Sequence, residues 1–208
     1  MQVTLYRYRI GFGKRGALRW TGHLDLQRCW ERTFRRARLP LRYSGGFHPH
    51  PRIVFGAALP LGFTSEGELL DVHLSEPRTE PEMLASLRAV AQPGLSVDWI
   101  TVVACPAPAV PTIVQASMYE VRHPAGPSLE TAVERLLAAQ TLLRTRRGKD
   151  YDLRPLVEDL RLREGDQVLQ MQLACREGAT GRPEEVLDQL GLDHRECDIH
   201  RTRLLLRE

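Results

Sequence analysis

The sequence predicts an α+β fold built from two tandem ferredoxin-like domains, each with the order β-α-β-β-α-β. Three observations carry that prediction. Apolar residues recur with a period of two in some segments and of three to four in others, in the order strand, helix, strand, strand, helix, strand. The same order then repeats in the second half. Between the halves, "CPAPAVPT" (residues 105–112) places three prolines among small residues, as suits a stiff extended connector. The expected organisation is a first domain over 1–104, a linker over 105–112 and a second domain over 113–208.

In the first half, "VTLYRYRIGF" sets Leu5, Arg7 and Arg9 against Tyr6, Tyr8 and Ile10, the alternation of a half-buried strand. "TGHLDLQRCWERTFRRARL" places Leu26, Trp30, Phe34 and Ala37 at helical spacing, with Thr21 as the expected N-cap. "RIVFGAAL" and "ELLDVHL" read as strands, the second with Leu70, Val72 and Leu74 on one face. "EPEMLASLRAV" is a helix with Pro81 in its first turn, ended by Pro93-Gly94, and "LSVDWITVV" is the last strand.

The second half begins with the strand "SMYEVRH" and the helix "SLETAVERLLAAQ", capped by Ser128. "VEDLRLR" and "QVLQMQLACR" are strands joined across Glu164-Gly165-Asp166. "RPEEVLDQLGL" is a helix with Pro183 in its first turn and Gly191 at its stop, and "CDIHRTRLLL" closes the domain. An insertion over 141–158, "TLLRTRRGKDYDLRPLVE", is too basic and turn-rich to serve packing alone.

Composition bounds the function. The chain is 42% hydrophobic and 26% charged, ordinary for a soluble protein with a core. It has no run of 18 apolar residues and its first residues lack a signal-peptide core, so a cytoplasmic protein without membrane contact is expected. Cys29, Cys105, Cys175 and Cys197 show no C-x-x-C spacing and read as scattered reduced thiols. The net charge of +3 hides an asymmetry. Residues 1–60 hold 12 Lys and Arg against Asp25 and Glu31, a net of +10; the other 148 residues hold 17 basic and 24 acidic side chains, a net of −7. Basic excess gathered in one segment points to a polyanion, with RNA as the expected partner.

Arg28, Arg32, Arg35 and Arg36 fall on one arc of the first helix, opposite Leu26, Trp30 and Phe34, a row suited to successive phosphates. Lys14 and Arg15 sit in a Gly-bounded turn with Arg19 following, Arg42 and Arg52 flank "YSGGFHPHP", and Arg144, Arg146, Arg147 and Lys149 cluster in the insertion. His48 and His50 each precede a proline, which favours an extended, stiff segment, and Pro49 and Pro51 bar it from a sheet centre. An exposed lip with Phe47, His48 and His50 beside arginines suits base stacking with phosphate contact. Two other chemistries compete for the histidines. His48 and His50, with His23 or His73, supply a weak metal-ligand set without nearby cysteines or carboxylates. Alternatively, His50 or His23 acts as general acid or base in metal-free RNA cleavage. A loop shaped by histidine and proline, with no ligand, is the structural alternative.

Several of these segments resemble the bacterial radical-SAM-linked proteins, a family built around a domain of unknown function. The matching features are Lys14-Arg15-Gly16, the "HLDL" helix start at His23 to Leu26, the "LP…YS.GF.PHP" segment over Leu39 to Pro51, the "LPLG…E..D" stretch over Leu59 to Asp71, and "DLRPLVEDL" at 152–160. Where that family often carries asparagine or another polar residue before the first proline, this chain has His48, which favours His50 as the functional histidine. The resemblance implies a neighbour or fusion partner of the radical SAM class with a cobalamin-type domain, and at times a genomic setting near ribonuclease E/G or ribosomal-protein genes. The chain lacks a C-x-x-x-C-x-x-C cluster, so cofactor chemistry falls to the partner and no cofactor is expected here. The expected function is a non-catalytic accessory that binds or presents RNA to a radical SAM enzyme. The alternatives are a metal-free endoribonuclease and a protein-interaction subunit that binds no nucleic acid.

Overall fold

A computed structural model describes residues 6–104, 106–124, 128–163 and 167–207. The expected turn at Glu164-Gly165-Asp166, the thiol of Cys105 and the start of the first strand lie outside these residues. The chain forms two compact α+β units, Met1–Ile113 and Val114–Glu208.

The first unit contains β1 (Tyr6–Lys14), α1 (His23–Arg36), β2 (Ile53–Phe55), β3 (Thr64–Leu74), α2 (Glu80–Val90), β4 (Leu95–Val103) and a short helical turn α3 (Val110–Ile113). Its strands pair antiparallel in the order β4-β1-β3-β2. Tyr8, Ile10 and Phe12 of β1, Leu70, Val72 and Leu74 of β3, and Val97 and Ile100 of β4 form one core with Leu26, Trp30 and Phe34 of α1 and Met83 and Leu87 of α2. Trp30 is fully buried and meets Phe12 edge-on, with ring centroids 5.0 Å apart. The period-two and period-3.6 patterns thus meet in a single layer between sheet and helices.

Local chemistry shifts several expected boundaries. Thr21 does not cap α1: its hydroxyl donates to the Leu18 carbonyl, and Gly22 occupies the N-cap with no side-chain bond. Thr79 does cap α2, as a reciprocal capping box with Glu82. The strand expected over "RIVFGAAL" keeps only Ile53–Phe55, because the Gly56 N–H bonds the Leu69 carbonyl and the chain then leaves the edge. The segment expected as a stiff connector ends in α3, whose Val110 is buried in the first unit.

The second unit contains β5 (Val114–Arg122), α4 (Glu130–Ala138), β6 (Leu143–Arg146), β7 (Lys149–Asp152), β8 (Val157–Arg163), β9 (Val168–Arg176), β10 (Ala179–Thr180), α5 (Pro183–Gln189) and β11 (Asp198–Leu206). Its main strands pair antiparallel in the order β11-β5-β9-β8. The Ser128 hydroxyl accepts from the Glu130 N–H at 3.2 Å, one residue off the expected cap position. The basic insertion folds as the β6–β7 hairpin, turned through Arg147 and Gly148 with φ of 52° and 73°, a two-residue turn that matches strand twist.

Gly94 supplies a stability test in the first unit. Its φ is +89°, its carbonyl accepts from the Arg15 N–H at 2.7 Å, and a Cβ there would lie 2.3 Å from the Arg15 carbonyl oxygen. Gly94→Ala is expected to destabilise the unit by about 2 kcal/mol or more. Gly45→Ala, where a Cβ would meet nothing within 4 Å, is expected to change stability by less than about 0.5 kcal/mol. Thermal melts of the two variants side by side check both.

Candidate nucleic-acid interface

The interface is built on α1. Leu26, Cys29, Trp30, Thr33 and Phe34 are the buried face. At about 100° per residue, Arg28, Arg32, Arg35 and Arg36 then occupy an arc of about 100° on the opposite side, and all four are exposed. Among the described residues only Arg28 of the four has an ion pair, to Asp25 at 3.2 Å on an exposed surface. Cys29 lies under the flank of this row. Burial raises its thiol pKa, while Arg36 and Arg32 pull the other way.

Beyond α1, Leu39 and Leu41 pack against the core, and the chain enters a hairpin tongue. Tyr43 pairs with Pro51, the Ser44 N–H donates to the His50 carbonyl at 2.8 Å, and the His50 N–H donates to the Ser44 hydroxyl at 3.0 Å. Gly46 at φ +105° turns the tip. Phe47 stands there with 101% exposure, and His48 and His50 are exposed beside it. The tongue carries its own backbone bonds, so its faces are presented on a defined scaffold. Leu41 faces the core and residues alternate along the strand, so Tyr43, 41% exposed, returns to the helix side.

The same alternation separates Arg42 and Arg52 from the α1 row. Ile53 and Leu41 lie on the core side, so Arg52 and Arg42 project to the opposite face of the sheet, away from α1. Arg42 and Arg52 therefore lie on a different surface from Arg28, Arg32 and Arg35.

Other expected phosphate ligands are already committed. Lys14 is fully buried at the end of β1, and its ammonium donates to the Thr21 carbonyl at 3.0 Å. Arg19 donates to the Gly62 carbonyl at 2.8 Å and lies 5.3 Å over the Trp20 ring. Arg15 is exposed but pairs with Glu66. In the insertion, Arg144 pairs with Asp188 at 2.9 Å and Arg146 with Glu185 at 2.6 Å, pinning the hairpin to α5. Arg146 also stacks 4.7 Å over Tyr151. These two bind carboxylates of their own unit, and only Arg147 and Lys149 at the tip remain exposed.

The histidines do not form one site. The His23 ring packs on Phe55 at 5.2 Å, and His50 lies five residues before Phe55 along an extended chain, on the order of 15 Å away. His23 and His50 therefore lie apart, as two separate candidates for the acid–base role. Among the described residues no three His, Cys, Asp or Glu side chains gather as a metal site, so the set of His48 and His50 with His23 or His73 is not built. Cys29, Cys175 and Cys197 are free thiols, and burial beside Asp193, Glu196 and Asp198 pushes Cys197 up to about 11. No described helix is long and apolar enough to cross a membrane.

Two features escaped the sequence reading. Trp20 and Leu24, near the start of α1, and Leu61, in the loop between β2 and β3, are large apolar side chains exposed at 67%, 68% and 61%. Asp71, only 1% exposed, accepts two bonds from Arg9, at 2.8 and 3.1 Å, and one from the Val110 N–H at 3.1 Å, with Arg7 4.0 Å away. The alternation of Arg7 and Arg9 in "YRYRIG" was the available signal for this clasp.

Fold and surface together define a two-unit α+β protein with an arginine-faced helix and a proline-rich hairpin tongue on its first unit. The chain belongs to the bacterial family described as "uncharacterized protein conserved in bacteria" (DUF2344), whose model matches residues 7–183. Comparison with curated proteins returns no match.

Proposed function

We propose that the chain is a non-catalytic accessory that binds single-stranded RNA along α1 and presents it to a radical SAM partner enzyme in the cytoplasm. The observation that carries the RNA reading is the exposed arc of Arg28, Arg32, Arg35 and Arg36, of which three have no ion pair among the described residues. Guanidinium forks at helical spacing suit phosphates of a flexible strand, and Tyr43 and Phe47 offer faces on which a base can stack. The partner reading rests on the resemblance of the "HLDL", "GFHPHP" and "LPLG" segments to radical-SAM-linked proteins. The exposed Trp20, Leu24 and Leu61 support it as an apolar place for that enzyme to dock. Each unit is read as ferredoxin-like, supported by the antiparallel orders β4-β1-β3-β2 and β11-β5-β9-β8, with 105–112 as the join.

The test is a salt titration of binding to an unstructured oligoribonucleotide. Four phosphate contacts give a slope of log K against log salt of about −3. Affinity is then expected to fall roughly 50-fold between 50 and 200 mM salt. Binding that is absent at low salt, or insensitive to salt, overturns the reading.

A further inference from the structure

We propose that the face of the first unit's sheet opposite α1 and α2 carries, beside α3, a phosphate-monoester site formed by Arg42, Arg52, Arg7 and His73. Backbone register brings these residues together. Arg7 of β1 pairs directly with His73 of β3. On the other side of His73, the Arg42 N–H donates to its carbonyl at 2.9 Å, and its own N–H donates to the Arg52 carbonyl at 3.0 Å. The Arg52 N–H in turn donates to the Arg42 carbonyl at 2.8 Å, which closes the root of the tongue. Directly paired residues on neighbouring antiparallel strands project to the same face. That face is opposite the core, because Leu41, Ile53, Val72 and Leu74 fill the other side.

Charge and hydrogen bonding point to a dianion. Arg42 and Arg52 have no side-chain partner among the described residues. Arg7 holds the Ala107 carbonyl at 2.7 Å with one nitrogen and keeps other donors. The nearby carboxylate, Asp71, is buried and already occupied by Arg9 and the Val110 N–H. With His73 neutral, Arg7, Arg9, Arg42 and Arg52 against Asp71 leave a local excess of three positive charges, a better match for a doubly charged monoester than for a singly charged diester. His73 Nδ1 is buried without a hydrogen-bond partner. Burial, and after it Arg52, Arg7 and Arg42 against the opposing pull of Asp71, lowers the His73 pKa. This surface shares no residue with the α1 row, so it stands or falls separately from the RNA reading.

Two sources carry this chemistry: a small phosphate ester, or the 5′ end of a processed strand. The experiment follows the His73 ring nitrogens by NMR in the full chain at fixed ionic strength. Probes are inorganic phosphate, then a short oligoribonucleotide with a 5′-phosphate and the same strand with a 5′-hydroxyl. Inorganic phosphate is expected to shift His73 saturably with a Kd below about 1 mM. Arg52→Ala and Arg42→Ala are each expected to weaken that response on the order of tenfold. The amide spectrum of each variant reports whether the tongue stays folded, and Arg52→Lys, which keeps the charge but loses the fork, should fall between. A larger shift with the 5′-phosphorylated strand assigns the site to strand ends. Equal weak responses to both strands, beside a saturable response to phosphate, assign it to a small ester. A His73 signal that moves with neither phosphate nor the 5′-phosphorylated strand overturns the site, even where the strand binds α1. A shift with phosphate in a protein that binds no RNA retains the site and removes the RNA reading.

Discussion

Asp71→Ala is expected to destabilise the first unit by about 3–5 kcal/mol. The carboxylate is 1% exposed and receives the Arg9 guanidinium on both oxygens and the Val110 N–H, with Arg7 at 4.0 Å. Removing it leaves two largely buried guanidiniums without their counter-charge and one buried amide without an acceptor. Both losses add in the same direction. A single domain is stable by about 5–15 kcal/mol, so the effect is a large fraction of the total. Asp71→Asn keeps the shape and an acceptor but not the charge, and is expected to cost about half as much. The exposed Arg15–Glu66 pair is the contrast: Glu66→Ala should change stability by less than about 1 kcal/mol. Urea denaturation of the three variants measures the order, and an Asp71→Ala protein as stable as Glu66→Ala would remove the clasp from the account.

Reversing charge on α1 is expected to have the largest effect on binding. Arg28→Glu with Arg32→Glu removes two of four phosphate contacts and sets carboxylates beside the strand. Charge-assisted bonds are worth about 1.5–3 kcal/mol each. The double variant should therefore bind RNA on the order of 100- to 10,000-fold more weakly, with the salt slope reduced to about −1.4. Both side chains are exposed on the face away from Trp30 and Phe34, so the melting curve should hardly move. Arg161→Glu with Arg163→Glu makes the same change in net charge on the exposed side of β8. If that pair weakens binding equally, total charge rather than the α1 arc governs association.

Much of the architecture was legible because hydrophobic period is a direct readout of which side faces the core. The stripe of Leu26, Trp30 and Phe34 gave α1, and the alternation in "ELLDVHL" gave β3. Ends were less legible, because they depend on particular donors. The Thr21 hydroxyl turned back to Leu18, leaving Gly22 at the cap, and no pattern in the segment announces that choice. The arginines split the same way. Those on α1 could be placed from helical geometry alone. Arg144 and Arg146 could not, because their partners Asp188 and Glu185 lie about forty residues away in sequence and are met only after folding. Lys14 was misplaced because a strand end inside the fold and a surface turn look alike when glycines flank them. Arg42 and Arg52 were recognised as a pair beside the tongue, but the side to which they point follows from the burial of Leu41 and Ile53, not from their own spacing.

The root of the tongue also has a consequence for association between molecules. Residues 70–74 of β3 would offer a row of open amides and carbonyls if β2 and the Leu41–Arg42 and Arg52 segments did not occupy them. An extended peptide from another copy therefore finds that stretch already filled. The intruding loop itself contributes Pro49 and Pro51, which have no N–H with which to template a further strand. The same device that holds Phe47 out in water thus guards this flank against edge-to-edge polymerisation.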